Sequence, residues 1–179
     1  MVICRVDADT EIRLLEERHA AELLALSEGY DSRPQTNEWF YAPCDMEGTR
    51  RFIRGGLDRL ADGKGLWAGV WHGGDLAGVI GLTVRAPGAT ATIDYALGPA
   101  FRGRGIMTEA CRALISYAFE ELKLNRIEIT PDVKNVKSCA IPERLGLRKE
   151  GILREAVSYG DFYGDLALYA VLRKEWESR

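Results

Sequence analysis

The chain has 179 residues, with 24 lysines and arginines against 27 aspartates and glutamates, a net charge of −3 and an apolar fraction of 46%. A chain of this length buries ~70% of its unfolded surface in one core, so a single domain over residues 1–179 is expected, without a disulfide or metal staple. The acidic balance argues against nucleic acid as the main partner. The chain carries no apolar run of about 18 residues and no charged-then-apolar leader at Met1, so neither a membrane span nor export is expected, and the cytoplasm is the expected location. Cys4, Cys44, Cys111 and Cys139 show neither a CxxC pair nor a metal-type spacing, which argues for reduced thiols and against zinc. His19 and His72 stand without the Ser/Asp or Cys/Asn pattern of a triad.

Val2 to Val6 and Glu11 to Leu15 alternate apolar and polar residues around Asp7-Ala8-Asp9-Thr10, which predicts an opening strand with a kink or hairpin. Ala20, Leu23, Leu24 and Leu26 share one face of a helix over 16–28 that Gly29 ends. Residues 30–48 are irregular, and Trp39, Phe40 and Tyr41 lie between Pro34 and Pro43. Such an aromatic loop either packs or forms a wall of an acceptor pocket. A second helix over 49–61 turns Phe52, Ile53, Leu57 and Leu60 inward and Arg50, Arg51, Arg54, Asp58 and Arg59 to solvent. Strands over 66–72 and 76–85 flank the hairpin turn Gly73-Gly74-Asp75, and Pro87-Gly88 turns the chain into the next strand.

In that next strand Ile93, Tyr95 and Leu97 alternate with Thr92, Asp94 and Ala96. Met107, Ala110, Cys111, Leu114, Ala118 and Leu122 then form one stripe of a helix over 104–122. Arg102-Gly103-Arg104-Gly105 sits at the junction, where a helix start offers unpaired N–H groups and a positive dipole end, glycines admit a bulky anion, and arginines add bidentate charge. Gly98 and Gly103 have Walker-loop spacing, but Arg104-Gly105 replaces its Lys-Ser/Thr pair. A dinucleotide fingerprint needs a small residue where Thr108 stands. A plain solvated turn is the third reading. Downstream come a strand over 126–130, a short helix over 138–145 with Pro142 in its first turn, a strand over 149–158, a turn over 160–164 and a strand over 165–172. The pattern is α+β, a mixed sheet with helices on both faces.

Arg102 to Met107 resembles motif A of the GNAT superfamily of acyl-CoA N-acyltransferases, R/Q-x-x-G-x-G/A, with Arg102 and Gly105 matching and Met107 replacing the last small residue. Asn125 to Ala156, with Asn135, Ser138 and Glu143-Arg144-Leu145-Gly146-Leu147, is similar to the RimJ/RimL branch of that superfamily. The resemblance implies the GNAT fold, a central mixed, mostly antiparallel sheet whose strands at Ile93–Leu97 and Ile127–Ile129 splay to admit pantetheine. It implies an N-acetyltransferase that uses acetyl-CoA and no metal, with direct attack by a primary amine, on a small molecule or a peptide N-terminus, in a ternary complex. It also suggests a homodimer. Acetyl-CoA would be held by Ala96, Leu97, Arg102, Gly103, Arg104, Gly105, Ile106, Met107, Thr108, Asn135 and Ser138.

Acyl transfer needs a neutral amine, donors for the developing oxyanion and a proton donor for the leaving thiolate. A bulge near Leu97 would free backbone N–H groups for the oxyanion. By resemblance Ser138 serves the sulfur and Asn135 the pantetheine amides, although N-x-x-S is also an ordinary helix cap. RimL-like members carry a glutamate on the strand after the short helix where this chain has Val157. Glu155, two residues away and expected on the same face, and Asp94 are the candidates to replace it. Val157 also motivates the alternative of a catalytically silent acyl-CoA-binding or sensor module. Tyr163 and Asp165 match a Y-x-D of the branch, and Tyr159 and Tyr163 either line the acceptor entrance or pack at the hairpin.

Overall fold

The computed structural model describes residues 1–28, 45–86 and 89–178; Gly29, the aromatic stretch from Trp39 to Pro43, Cys44 and the Pro87-Gly88 turn lie outside the described residues. The strands are β1 (Val2–Arg5), β2 (Thr10–Leu14), β3 (Gly65–His72), β4 (Asp75–Ala86), β5 (Thr90–Leu97), β6 (Arg126–Ile129), β7 (Arg148–Ser158) and β8 (Tyr163–Leu172). They form one eight-stranded sheet in the order β1-β2-β3-β4-β5-β6-β8-β7. Among the described residues only β5 and β6 run parallel; the other neighbours are antiparallel. This is the mixed, mostly antiparallel sheet expected from the sequence.

Helices cover both faces. On one lie α1 (Ala20–Glu28), after a 3-10 turn over Glu17–His19, and α2 (Met46–Ala61), where Leu15, Leu23 and Ile53 pack with Trp71, Leu76 and Val79. On the other lies α3 (Ile106–Glu120), whose Met107, Ala110, Cys111, Leu114, Ile115, Ala118 and Phe119 are buried against Ile80, Leu82, Ile93 and Ile127. Cys111 is thus a small core residue, and burial raises its thiol pKa far above the ordinary range. Side chains alternate across a strand, so Ile93 faces α3 while Asp94 and Ala96 face α1 and α2. α4 (Val136–Arg144) sits beside α3, and α5 (Arg173–Glu177), unforeseen in the sequence, docks by Trp176 Nε1 donating to Ser116 Oγ at 3.0 Å.

Several boundaries differ from the sequence reading for identifiable reasons. α2 starts three residues early because Asp45 caps it, its carboxylate accepting the Gly48 N–H at 2.7 Å. α3 starts at Ile106 after Gly105 in the left-handed region and ends before Leu122, which is exposed. α4 starts at Val136, capped by Asn135, so Pro142 is its seventh residue and not in its first turn. The histidines pack: His72 Nδ1 meets Thr10 Oγ1 at 2.9 Å, and His19 accepts the Glu16 N–H and abuts Trp71 edge-on.

Candidate active site

β5 and β6 pair only through Thr90–Arg126, Ala91–Ile127 and Thr92–Glu128, and beyond Thr92 they part. The bulge expected near Leu97 is absent: β4 and β5 stay in register from Gly78–Leu97 to Val84–Ala91, and the irregularity lies at Val84/Ala86. The splay itself frees the donors. Gly98 donates to Ala77 O on β4 at 2.8 Å, so by alternation the N–H groups of Leu97 and Tyr95 point away from β4 into the gap, whereas that of Ile93 closes the last rung of the β5–β6 ladder.

At the far end of β5 the chain passes through a 3-10 turn (Pro99–Phe101) to the Arg-Gly-Arg-Gly segment. Gly103 and Gly105 have φ of +77° and +78°, and a Cβ at either would meet nothing within 4 Å. The main chain is therefore bare to an incoming group, and no side chain caps α3, whose first N–H groups face outward. Ile106, Met107 and Thr108 are buried, so these predicted contacts can offer only their backbone N–H groups. Arg104 is exposed. Arg102 is exposed too, but its Nε donates to Leu97 O at 3.1 Å, so it ties the turn to the strand end as well as carrying charge. An uncapped 15-residue helix behind two glycines suits a pyrophosphate.

The gap between the strands is a small, open cleft lined by Ile93, Asp94, Tyr95, Ile129, Thr130, Pro131 and Ser138. Two of the three predicted catalytic residues, Asp94 and Ser138, line this cleft. Burial raises the Asp94 carboxyl pKa above its ordinary value, with the Arg85 charge pulling the other way. Ser138 is not the cap of α4: Asn135 is, its Oδ1 accepting the Ser138 N–H at 3.1 Å. The Ser138 hydroxyl instead donates to Tyr95 Oη at 3.2 Å, and that phenol donates to Ser138 O at 3.0 Å. Pro142 explains the second contact, since a helix would bond Ser138 O to the N–H of residue 142, which proline lacks. Tyr95 has its phenol pKa raised well above the ordinary value by burial.

Glu155 does not join them. A bulge between Leu153 and Val157 breaks the alternation of β7, so Glu155 and Val157 do not share a face as two strand residues would. Glu155 sits at φ +51°, exposed, and its N–H donates to Asp165 Oδ1 at 2.8 Å. Asp165 of the Y-x-D pair thus secures the bulge, and Tyr163 is 65% exposed. Tyr159 is engaged inside: its phenol donates to Oδ2 of Asp132 at 2.6 Å, and Asp132 Oδ1 accepts the Lys134 N–H at 2.6 Å. Asp132 is 4% exposed, and its carbonyl accepts the Asn135 N–H, so the pair holds the loop that launches α4. Neither Tyr95 nor Asp132 belongs to a motif that marks it as a site residue in the sequence. Pro142, four residues after Ser138, was the one available signal, because it announces an orphaned carbonyl.

A family model described as the acetyltransferase (GNAT) domain matches residues 10–148. The Bacillus subtilis (strain 168) protein named "Putative ribosomal N-acetyltransferase YdaF" is 38% identical over 99% of this chain and 98% of its own. Among solved structures, RimL, the ribosomal L7/L12 alpha-N-protein acetyltransferase in complex with coenzyme A, superposes with a TM-score of 0.89 at 26% identity, over 96% of this chain and 98% of that one. The microcin C7 self-immunity acetyltransferase MccE, in complex with acetyl-CoA and AMP, has a TM-score of 0.87 at 25% identity, over 93% and 94%.

Proposed function

The chain belongs to the GNAT acetyltransferase domain family, and from that premise we propose that it acetylates the α-amine of a peptide or protein N-terminus. It is an N-acetyltransferase that uses acetyl-CoA. The observation that supports the finer proposal is that Asp94 and Ser138 line one cleft, into which the outward N–H groups of β5 point. Acetyl-CoA supplies an acyl group activated as a thioester, and the residues of this chain do the rest. The N–H groups of Gly103 to Thr108 and the charge of Arg104 hold its pyrophosphate, and Asn135 serves the pantetheine arm. Leu97 N–H donates to the thioester oxygen, where negative charge grows as the amine attacks. Asp94 takes the proton that the amine nitrogen sheds, and the Ser138 hydroxyl hydrogen-bonds the sulfur as the carbon–sulfur bond breaks, so that coenzyme A leaves as a thiolate and takes its proton from solvent.

An α-amine suits a single carboxylate as base. With a pKa of about 7.7 to 8.0, roughly a tenth of it is neutral at pH 7, whereas a lysine amine near 10.4 is almost wholly charged. RimL, an alpha-N-protein acetyltransferase by name, supports the same class. The proposal takes residues 1–179 as one catalytic domain working in the cytoplasm. A panel read by thiol release tests it: peptides with free N-termini, the same peptides N-blocked with an internal lysine, and small primary amines. Thiol release is expected with free N-termini. Release with blocked peptides, or with small amines alone, would overturn the acceptor class.

A further inference from the structure

The Tyr95 phenol oxygen lies within hydrogen-bond distance of two atoms of one residue, Ser138 O at 3.0 Å and Ser138 Oγ at 3.2 Å. It donates to the first and accepts from the second. The carbonyl is open to it because Pro142 stands where the helix would otherwise supply an N–H. We propose that Tyr95 is a positioning residue for acyl transfer, a donor with two seats that holds the Ser138 hydroxyl between turnovers and supports it while it serves the leaving sulfur. The proposal rests on the function given above, in which Ser138 faces that sulfur.

The geometry allows the exchange without moving a heavy atom. At rest the Ser138 O–H points at Tyr95 Oη, and the Tyr95 O–H points at the carbonyl. When charge gathers on sulfur, the Ser138 O–H turns to it, and the Tyr95 O–H rotates from the carbonyl to the vacated lone pair of Ser138 Oγ. A hydroxyl that accepts a hydrogen bond is a stronger donor, so the second bond strengthens the first at the moment it is needed. Burial disfavours ionised Tyr95, so the phenol keeps its proton throughout and only hydrogen bonds change hands. The packing of the ring against the α3 core fixes Oη where both seats are in reach.

The test compares Tyr95→Phe, Ser138→Ala and the double variant, with a peptide acceptor, using acetyl-CoA and p-nitrothiophenyl acetate as donors. Phenylalanine keeps the ring and its packing, and melting curves confirm that each variant is folded. With acetyl-CoA, Tyr95→Phe is expected to lower kcat roughly 10- to 100-fold, less than a lost oxyanion donor because it acts through Ser138, while KM for acetyl-CoA changes less than about twofold. On the Ser138→Ala background it should lower kcat no further, since the two act as one unit. With the aromatic thioester, whose thiolate leaves readily, the loss should shrink below about threefold. Full kcat in folded Tyr95→Phe, losses that multiply in the double variant, or an equal loss with both donors would each overturn the proposal. Failure of the wild-type protein to release thiol from acetyl-CoA would overturn the function itself, and is thereby distinguished from the failure of this inference.

Discussion

Replacing Asp94 with asparagine separates chemistry from stability, because the structure predicts opposite signs for the two. The substitution keeps the shape of the side chain and removes its charge. The native carboxyl has a pKa above its ordinary value of 3.8, with desolvation outweighing the pull of Arg85. In the window between 3.8 and that raised value the native state holds more protons than the unfolded chain, so stability falls as pH rises through the window and stays lower above it. Above that window the wild-type protein carries a charge that burial disfavours, and the asparagine variant does not. Asp94→Asn should be at least as stable as wild type at pH 7, and the fall in stability through the window should diminish. Its activity should drop, since loss of a general base lowers the rate about 10²- to 10⁴-fold, or ~2.7 to 5.5 kcal/mol of transition-state stabilisation. The assay is kcat/KM for thiol release as a function of pH, with melting temperatures over the same range. The wild-type acid limb, where Asp94 ionises, should vanish in the variant. A variant that keeps a third or more of wild-type activity, or that loses stability and activity together, would refute the assignment.

Gly105→Glu should abolish CoA binding by isothermal titration while the fold survives. A Cβ there meets nothing within 4 Å, so the cost is left-handed strain of about 1–2 kcal/mol, while the new carboxylate stands at the helix N-terminus; wild-type affinity in a folded variant would remove the segment from the site. Tyr159→Phe should destabilise the protein by about 1–3 kcal/mol in urea titration, because it takes the phenol from a buried Asp132 carboxylate. An unchanged midpoint would show that the pair does not hold the loop before α4.

The sheet, the helix order and the glycine-rich turn before α3 are legible in the sequence because they rest on local signals. Strand alternation, the apolar stripe of α3 and the glycines of 103 and 105 each act within a few residues of themselves. The errors arose where a long-range contact or an interruption decided. Glu155 was placed beside Val157 by counting in twos, and a bulge secured by Asp165 from the neighbouring strand defeats that count. A bulge near Leu97 was expected as the source of free donors, whereas the divergence of β6 supplies them with β5 in register. The Asn135 and Ser138 pair leaves a helix cap and a functional role as rivals in sequence; in the fold Asn135 Oδ1 caps α4 through the Ser138 N–H, and Ser138 lines the cleft. Tyr95 and Ser138 are 43 residues apart, and nothing in their local sequence pairs them. The two carboxylates Asp94 and Glu155 looked alike in sequence, and burial distinguishes them: one lines the cleft with its pKa raised, the other is exposed.

A crystal structure of the protein with coenzyme A and a peptide bound most directly tests the claim that the splay between β5 and β6 is the acyl-transfer site. The sulfur is predicted within hydrogen-bond reach of Ser138 Oγ, the pyrophosphate on the N–H groups from Gly103 to Thr108, and the peptide α-nitrogen on the Asp94 side of the cleft. A sulfur lodged away from Ser138, or an α-nitrogen approached by no oxygen of Asp94, directly or through one water, would contradict the account.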